Sequence, residues 1–183
     1  MARRLFSFVG GNHGSWKVIR MDTVIGEGLP KVDALGIIEG MLTAPSNGHS
    51  WVLRGVTSYA RYVHSDERQH LQQLQASLDR PQATCAALIP IKKSAAWWEL
   101  PQDVRRAIFE EQSHHTAIGI GYMPAIARRL HHGYDLGEPF DFLTWFEYAP
   151  EDAPAFERLT QALRAAEEWR YVEREIDIRL IKY

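Results

Sequence analysis

The sequence predicts an α+β fold built from two ferredoxin-like βαββαβ halves. Two observations predict it. The second half reads strand, helix, strand, strand, helix, strand in order, and the first half carries a looser version of the same alternation. The 183 residues suffice for one substantial domain or two small ones. The division falls into residues 1–80 and residues 81–183, and two such halves suggest sheets packed or joined into one barrel-like unit.

In the first half, Leu5 to Val9 and Trp16 to Met21 read as strands around the turn Gly10-Gly11-Asn12-His13-Gly14. That turn lacks the GxGxxG spacing of a phosphate loop. Pro30 to Leu42 reads as a helix, because Val32, Leu35, Ile38 and Leu42 repeat at helical spacing. Residues 44–48 are a loop, and Ser50 to Tyr59 has strand composition. Asp66 to Leu78 places Leu71, Leu74 and Leu78 along one side of a helix, which Asp79-Arg80-Pro81 closes.

The second half opens with Ala83 to Ile91, an almost unbroken apolar run and so a buried strand. Pro101-Gln102-Asp103 starts a helix that runs to about Tyr122, and Pro124 breaks the chain. Ala125 to His132 fits a strand or a helical remnant. A turn at 134–139 leads to the aromatic strand Phe140 to Tyr148. Pro150 to Glu168 is a helix with Phe156, Leu159 and Leu163 at helical spacing. Tyr171 to Tyr183 is a strand in which Val172, Ile176, Ile178 and Leu180 alternate with Glu173, Glu175, Asp177 and Arg179.

Composition excludes several classes. Hydrophobic residues make up 45% and charged residues 24%, ordinary for a globular chain. The net charge of −2 gives no basic field to recruit nucleic acid or anionic lipid. Cys85 is the single cysteine, so neither an internal disulfide nor a multi-cysteine metal site can form. No apolar run approaches the roughly 20 residues of a membrane span, and the start lacks a signal-peptide pattern; cytoplasmic residence is the expectation.

Eight histidines offer candidate ligands: His13, His49, His64, His70, His114, His115, His131 and His132. Most histidines in a globular chain are solvated or simple hydrogen-bonding residues. Helix neighbours lie about 100° apart, so His114 and His115 cannot both serve one ion. Strand neighbours point to opposite sides, so His131 and His132 also split. A protein-only zinc site is therefore disfavoured. One imidazole suffices for haem, provided a partner fixes its other nitrogen, and Glu167 and Glu168 are candidates for that partner. Arg128 and Arg129 lie beyond Pro124, where a strand turning back brings one of them to the same cavity; both are equally readable as surface arginines. Trp97-Trp98 after Lys92-Lys93 reads as a core and interface pair, or as a cofactor wall with a lysine on a haem propionate. Composition and spacing alone leave an α+β domain with or without a cofactor pocket.

The stretch Ala83 to Lys182 resembles the chlorite dismutase family. The resemblance is carried by Ala-Thr-Cys-Ala-Ala-Leu-Ile-Pro-Ile-Lys-Lys-Ser-Ala-Ala-Trp-Trp-Glu-Leu (83–100) and Phe-Glu-Glu-Gln-Ser-His-His-Thr-Ala-Ile-Gly (109–119). It continues through Ala-Ile-Ala-Arg-Arg-Leu-His-His (125–132), residues 139–152 and residues 167–180. In the N-terminal half it is sparser, over Trp51 to Tyr62 and Leu74 to Pro81.

The resemblance implies a dimeric α/β barrel of two ferredoxin-like halves, with haem b held by the C-terminal one. It implies that His115 is the metal ligand, Glu168 its carboxylate partner and Arg128 the catalytic arginine. Lys93 and Trp97 match the haem pocket, with Trp98 beside them nearer the subunit interface. Gln75 matches a glutamine that orients the arginine. The chain length resembles the short, homodimeric branch.

The implied reaction converts chlorite to chloride and dioxygen through a ferryl intermediate and captive hypochlorite, which Arg128 retains on a wall otherwise lacking an acid–base histidine. Two alternatives stand beside it. A coproheme decarboxylase-like enzyme of the same superfamily lacks the arginine, and a non-catalytic haem-binding or sensing protein would release no oxygen.

Overall fold

The structure is a computed structural model, and it describes residues 4–42, 48–57, 69 and 73–183. Eight strands close into a barrel in the order β1-β3-β2-β8-β5-β7-β6-β4. The strands are β1 (Leu5–Gly11), β2 (Trp16–Ile25), β3 (Ala34–Glu39), β4 (His49–Thr57), β5 (Cys85–Lys93), β6 (Ala127–His132), β7 (Phe142–Tyr148) and β8 (Val172–Lys182). Every pairing is antiparallel. Among the described residues, no helix is long and apolar enough to cross a membrane.

The second half keeps its expected element order. Between β5 and β6 lie α1 (Ala95–Glu99), α2 (Gln102–Arg106), a π-helical turn (Ala107–Gln112) and α3 (His115–Ile120); α4 (Ala153–Arg164) joins β7 to β8. Ala125 to His132 resolves as a strand, and the helix expected to reach Glu168 stops at Arg164. The first half departs further, since neither the β1–β2 nor the β2–β3 connection contains a helix.

The helix expected over Pro30 to Leu42 is strand β3. Val32, Leu35 and Ile38 keep helical spacing, but the strand separates them, with Leu35 buried and Ile38 exposed. Gly36 and Gly40 weaken a helix, Ile37 and Ile38 favour a strand, and β1 offers a full antiparallel partner. The expected helix Asp66 to Leu78 lies largely outside the described residues; Gln69, Gln73 and Leu74 are helical. Residues 44–47, Tyr59, His64 and His70 also lie outside them.

Side-chain alternation along the strands sorts two apolar layers. Phe8, Leu53, Leu88, Leu143, Trp145, Ile176 and Ile178 fill the barrel interior. Ile89, Ile91, Phe146 and Phe156 form a second cluster on the outer face, under α4. The charged face of β8 is also buried: Glu175, Asp177 and Arg179 are at most 4% exposed. Charges at such depth must be paired. Arg164 bonds both Glu175 (2.6 Å) and Asp177 (2.8 Å), and Arg179 also bonds Asp177.

The barrel closes where β4 meets β6, with Val56 opposite His132 and Thr57 opposite His131. Gly55 permits this approach, because a Cβ there would fall 2.6 Å from the His131 Cβ.

Candidate functional site

The outer faces of β5, β6 and β7, with α3, α4 and the segment before β8, enclose a cavity. Cross-strand pairing gives it rows. Arg128 lies opposite Phe146, Leu130 and Ile89 flank Thr144, and His132 and Ile91 flank Phe142. All eight of these residues line the cavity, so its sheet-side wall is apolar with one arginine and one histidine.

Parity on β6 separates the paired residues as the strand rule requires. Arg128 and His132 share the cavity face. His131 points the other way, edge-on to Phe6 and Phe8 at 5.2 and 5.0 Å, with its Nδ1 3.1 Å from the Leu143 carbonyl. Arg129 lies 5.5 Å from the Phe6 ring. The wall that carries Arg128 was expected to lack a histidine. His132 corrects this: four residues along a strand is an even step, and so returns to the same face.

The helix-side wall carries His115. The expected continuous helix from Pro101 to Tyr122 is broken at His114, which takes a left-handed conformation (φ 51°) after the π-helical turn. The break leaves His114 exposed and starts α3 at His115. Glu110 fixes that start, its carboxylate accepting the backbone N–H groups of Thr116 (2.8 Å) and Ala117 (3.4 Å).

His115 Nδ1 lies 2.7 Å from Glu168 Oε2, and Lys93 Nζ lies 2.7 Å from Glu168 Oε1. Both Lys93 and Glu168 are buried. Desolvation pushes the Glu168 pKa up, but His115 and Lys93 together outweigh it and hold the carboxylate at about 2. Burial lowers the Lys93 pKa, and Glu168 opposes that shift. An ionised Glu168 can only accept, so Nδ1 of His115 carries the bonded proton, and Nε2 is the ring nitrogen that Glu168 does not engage. Ser113 Oγ accepts the Glu168 backbone N–H at 2.8 Å, locking the two segments together. Of the two candidate partners, Glu167 instead pairs with Arg170 at the surface.

The lysine expected to meet a propionate is thus committed to a protein carboxylate, with its ammonium 4.7 Å from the Trp97 ring. Lys92 pairs with Glu173. Trp98 is not among the residues that line this cavity. It stacks on Tyr134 at 3.8 Å and donates to Asp141 at 3.1 Å. Gln75 is exposed and donates its side-chain amide to the Arg128 backbone carbonyl at 2.6 Å.

The Arg128 Nε is buried without a hydrogen-bond partner among the described residues, as are those of Arg80 and Arg105; Arg128 alone of these three lines the cavity. Burial lowers its pKa, and no carboxylate among the described residues offsets the effect, yet a guanidinium remains charged. Such a group favours an anion.

Sequence reasoning missed Phe109, Trp169, Arg164 and Glu175, which also line the cavity. Phe109 stacks on His115 at 4.3 Å. Trp169 directly follows Glu168, and that adjacency was the available signal. Among the described residues, no group of three His, Cys, Asp or Glu side chains converges as a metal site.

A family model described as "Chlorite dismutase" matches residues 39–181. A chlorite dismutase of Ideonella dechloratans is 30% identical over 123 residues, 65% of this chain and 40% of that protein. The chain therefore spans less than half the length of this curated relative. A crystal structure of a dimeric chlorite dismutase from Nitrobacter winogradskyi is 57% identical, covers 97% of this chain and 99% of its own, and superposes with a TM-score of 0.90. A chlorite dismutase from Candidatus Nitrospira defluvii solved with imidazole is 21% identical. It covers 97% of this chain and 90% of its own, and shares the fold with a TM-score of 0.67.

Proposed function

The chain belongs to the chlorite dismutase family, and from that premise we propose that it is a haem b-dependent enzyme converting chlorite to chloride and dioxygen. The observation that carries the reading is one cavity that joins a carboxylate-bound imidazole to an arginine that no carboxylate among the described residues pairs with.

The donor set fits haem. A porphyrin supplies four nitrogen ligands, so the protein need add only one. His115 would ligate through Nε2, the ring nitrogen that Glu168 does not engage. Ile89, Ile91, Leu130, Phe142 and Phe146 give the apolar wall that a macrocycle requires. When bound, haem supplies the iron chemistry that breaks the chlorine–oxygen bonds and joins the two oxygen atoms.

The chain's own residues do the rest. Glu168 holds the His115 Nδ1 proton and makes the imidazole a stronger donor, while Lys93 neutralises Glu168. Trp97 packs under Lys93. Arg128 attracts chlorite and keeps hypochlorite from escaping, a task for a permanent cation. Gln75 steadies β6 at Arg128 through the backbone carbonyl, and Trp98 supports the pocket from outside through Asp141. Residues 81–183 form the haem-bearing half of a barrel of two ferredoxin-like halves, and the dimeric neighbour supports a homodimer.

The test is oxygen release, measured with an electrode, on adding chlorite to haem-loaded protein near neutral pH. Fast, near-stoichiometric release is expected. Arg128→Ala should keep haem but bleach after fewer turnovers. A fully loaded, five-coordinate ferric protein that releases no oxygen would overturn the reading.

A further inference from the structure

Glu175 sits at the edge of the cavity and is 0% exposed. Its two oxygens are divided between two partners. Oε1 takes both Arg164 bonds, from Nε at 2.8 Å and from an Nη at 2.6 Å. A guanidinium usually grips a carboxylate with two parallel bonds, one to each oxygen. Here both bonds converge on Oε1, and Oε2 accepts the Trp169 indole N–H at 2.8 Å. Arg164 is itself held on Asp177 at 2.8 Å. A chain of buried polar contacts thus runs Asp177–Arg164–Glu175–Trp169.

Trp169 ends that chain beside the imidazole. Its ring lies 6.4 Å from the His115 ring and within 19° of parallel. The Lys93 ammonium lies 5.5 Å from the Trp169 ring centroid. Above all, Trp169 is bonded covalently to Glu168, the residue that holds His115 Nδ1. The short helical segment Glu167–Tyr171 is therefore pinned from two sides. The Glu168 side chain is fixed on His115 and Lys93, and the Trp169 side chain is fixed on Glu175. A turn of the indole would carry the Glu168 backbone with it.

We propose that Glu175 is a positioning residue for the His115–Glu168 pair, acting through the hydrogen bond it accepts from Trp169. The inference rests on the reading of His115 as the haem ligand for its catalytic meaning, but the positioning itself is a property of the chain. The Glu175 carboxylate bonds Arg164 and Trp169, not the His115 imidazole. It sets the angle at which Glu168 meets the imidazole, and so the donor strength of Nε2.

Trp169→Phe keeps an aromatic ring beside His115 but removes the indole N–H together with part of the ring. Glu175→Gln keeps an acceptor and removes the charge. Two readouts apply to the full chain. In the haem-free protein, the His115 Nδ1 proton in its bond to Glu168 gives a downfield NMR resonance. In the haem-loaded ferrous protein, resonance Raman reads the iron–histidine stretch. Each variant should move both signals and speed haem release by about tenfold, the lower end for partners that orient a metal ligand. The double variant should go no further than the singles.

An unmoved resonance and stretch in Trp169→Phe would overturn the proposal, as would effects that sum in the double variant. Should Glu175→Gln fail to fold, Trp169→Phe decides alone, since it leaves every buried charge in place. Wild-type protein that takes up no haem would sink the functional reading, and the haem-free resonance would still decide this one.

Discussion

Acidification should destabilise this protein through one residue inside the barrel, His131. It is 1% exposed and packed between Phe6 and Phe8. Burial pushes its pKa down from 6.5 to about 4; the bond to the Leu143 carbonyl opposes the shift, and nearby Arg129 and His132 add to it. The unfolded chain takes up this proton below about pH 6.5, whereas the folded chain does so only near 4. Between those values the unfolded state binds more protons, so stability falls as pH falls. The whole window is worth about 3 kcal/mol, of which about 2 are lost by pH 5. Urea unfolding of the haem-free protein at pH 7.5 and pH 5, at one protein concentration, measures the loss. His131→Gln keeps a donor for Leu143 but does not titrate, and its pH-dependent loss should be smaller by about 2 kcal/mol. Equal losses in both proteins, or an NMR titration of His131 near 6.5, would refute the reasoning.

Three further outcomes are expected. Lys93→Met strands the buried Glu168 charge and should cost about 3 kcal/mol in urea unfolding, whereas Lys92→Met, which breaks an exposed pair, should cost less than about 0.5. His114→Gly relieves a left-handed backbone and should stabilise by about 0.5 kcal/mol, the strain removed less the added chain entropy, read as a higher urea midpoint. Haem binding followed at the Soret band should survive His114→Ala and be lost in His115→Ala; the reverse pattern would assign the ligand to the neighbouring residue.

What could be read in the sequence was whatever a local period governs. Ala83 to Ile91, Phe140 to Tyr148 and the final strand announce themselves by composition, and their order gives the second half of the barrel. The 131–132 split followed from strand parity alone. Pro30 to Leu42 did not, because its apolar spacing pointed to a helix and only the partner strand β1 overrides it. The break at His114 was hidden for a similar reason. Nothing in Glu110-Glu111-Gln112-Ser113-His114 forbids a helix, and the kink is imposed by Glu110 capping α3 and Ser113 reaching Glu168. The alternation of β8 did not show that its charged face is buried, because the compensating cation, Arg164, comes from another element. The site residues found from the family resemblance lie in sequence blocks. Of those missed, Phe109, Trp169 and Glu175 lie in the same blocks, and only Arg164 lies outside them; the contacts among all four arise only on folding.

The cavity draws all its described lining residues from the stretch between Ile89 and Glu175, while the first half of the chain packs mainly against the barrel interior. The two stretches thus face different demands as the chain drifts over generations. Interior positions such as Phe8 or Leu53 ask only for the right volume and tolerate compensated exchange. Positions such as Ile89, Arg128 and Trp169 are read by whatever occupies the cavity. Away from Gln75, which holds the Arg128 carbonyl, and from β4, which pairs with β6 at His132, the β1–β2 and β2–β3 connections are where an engineer should place a tag, a graft or a hinge.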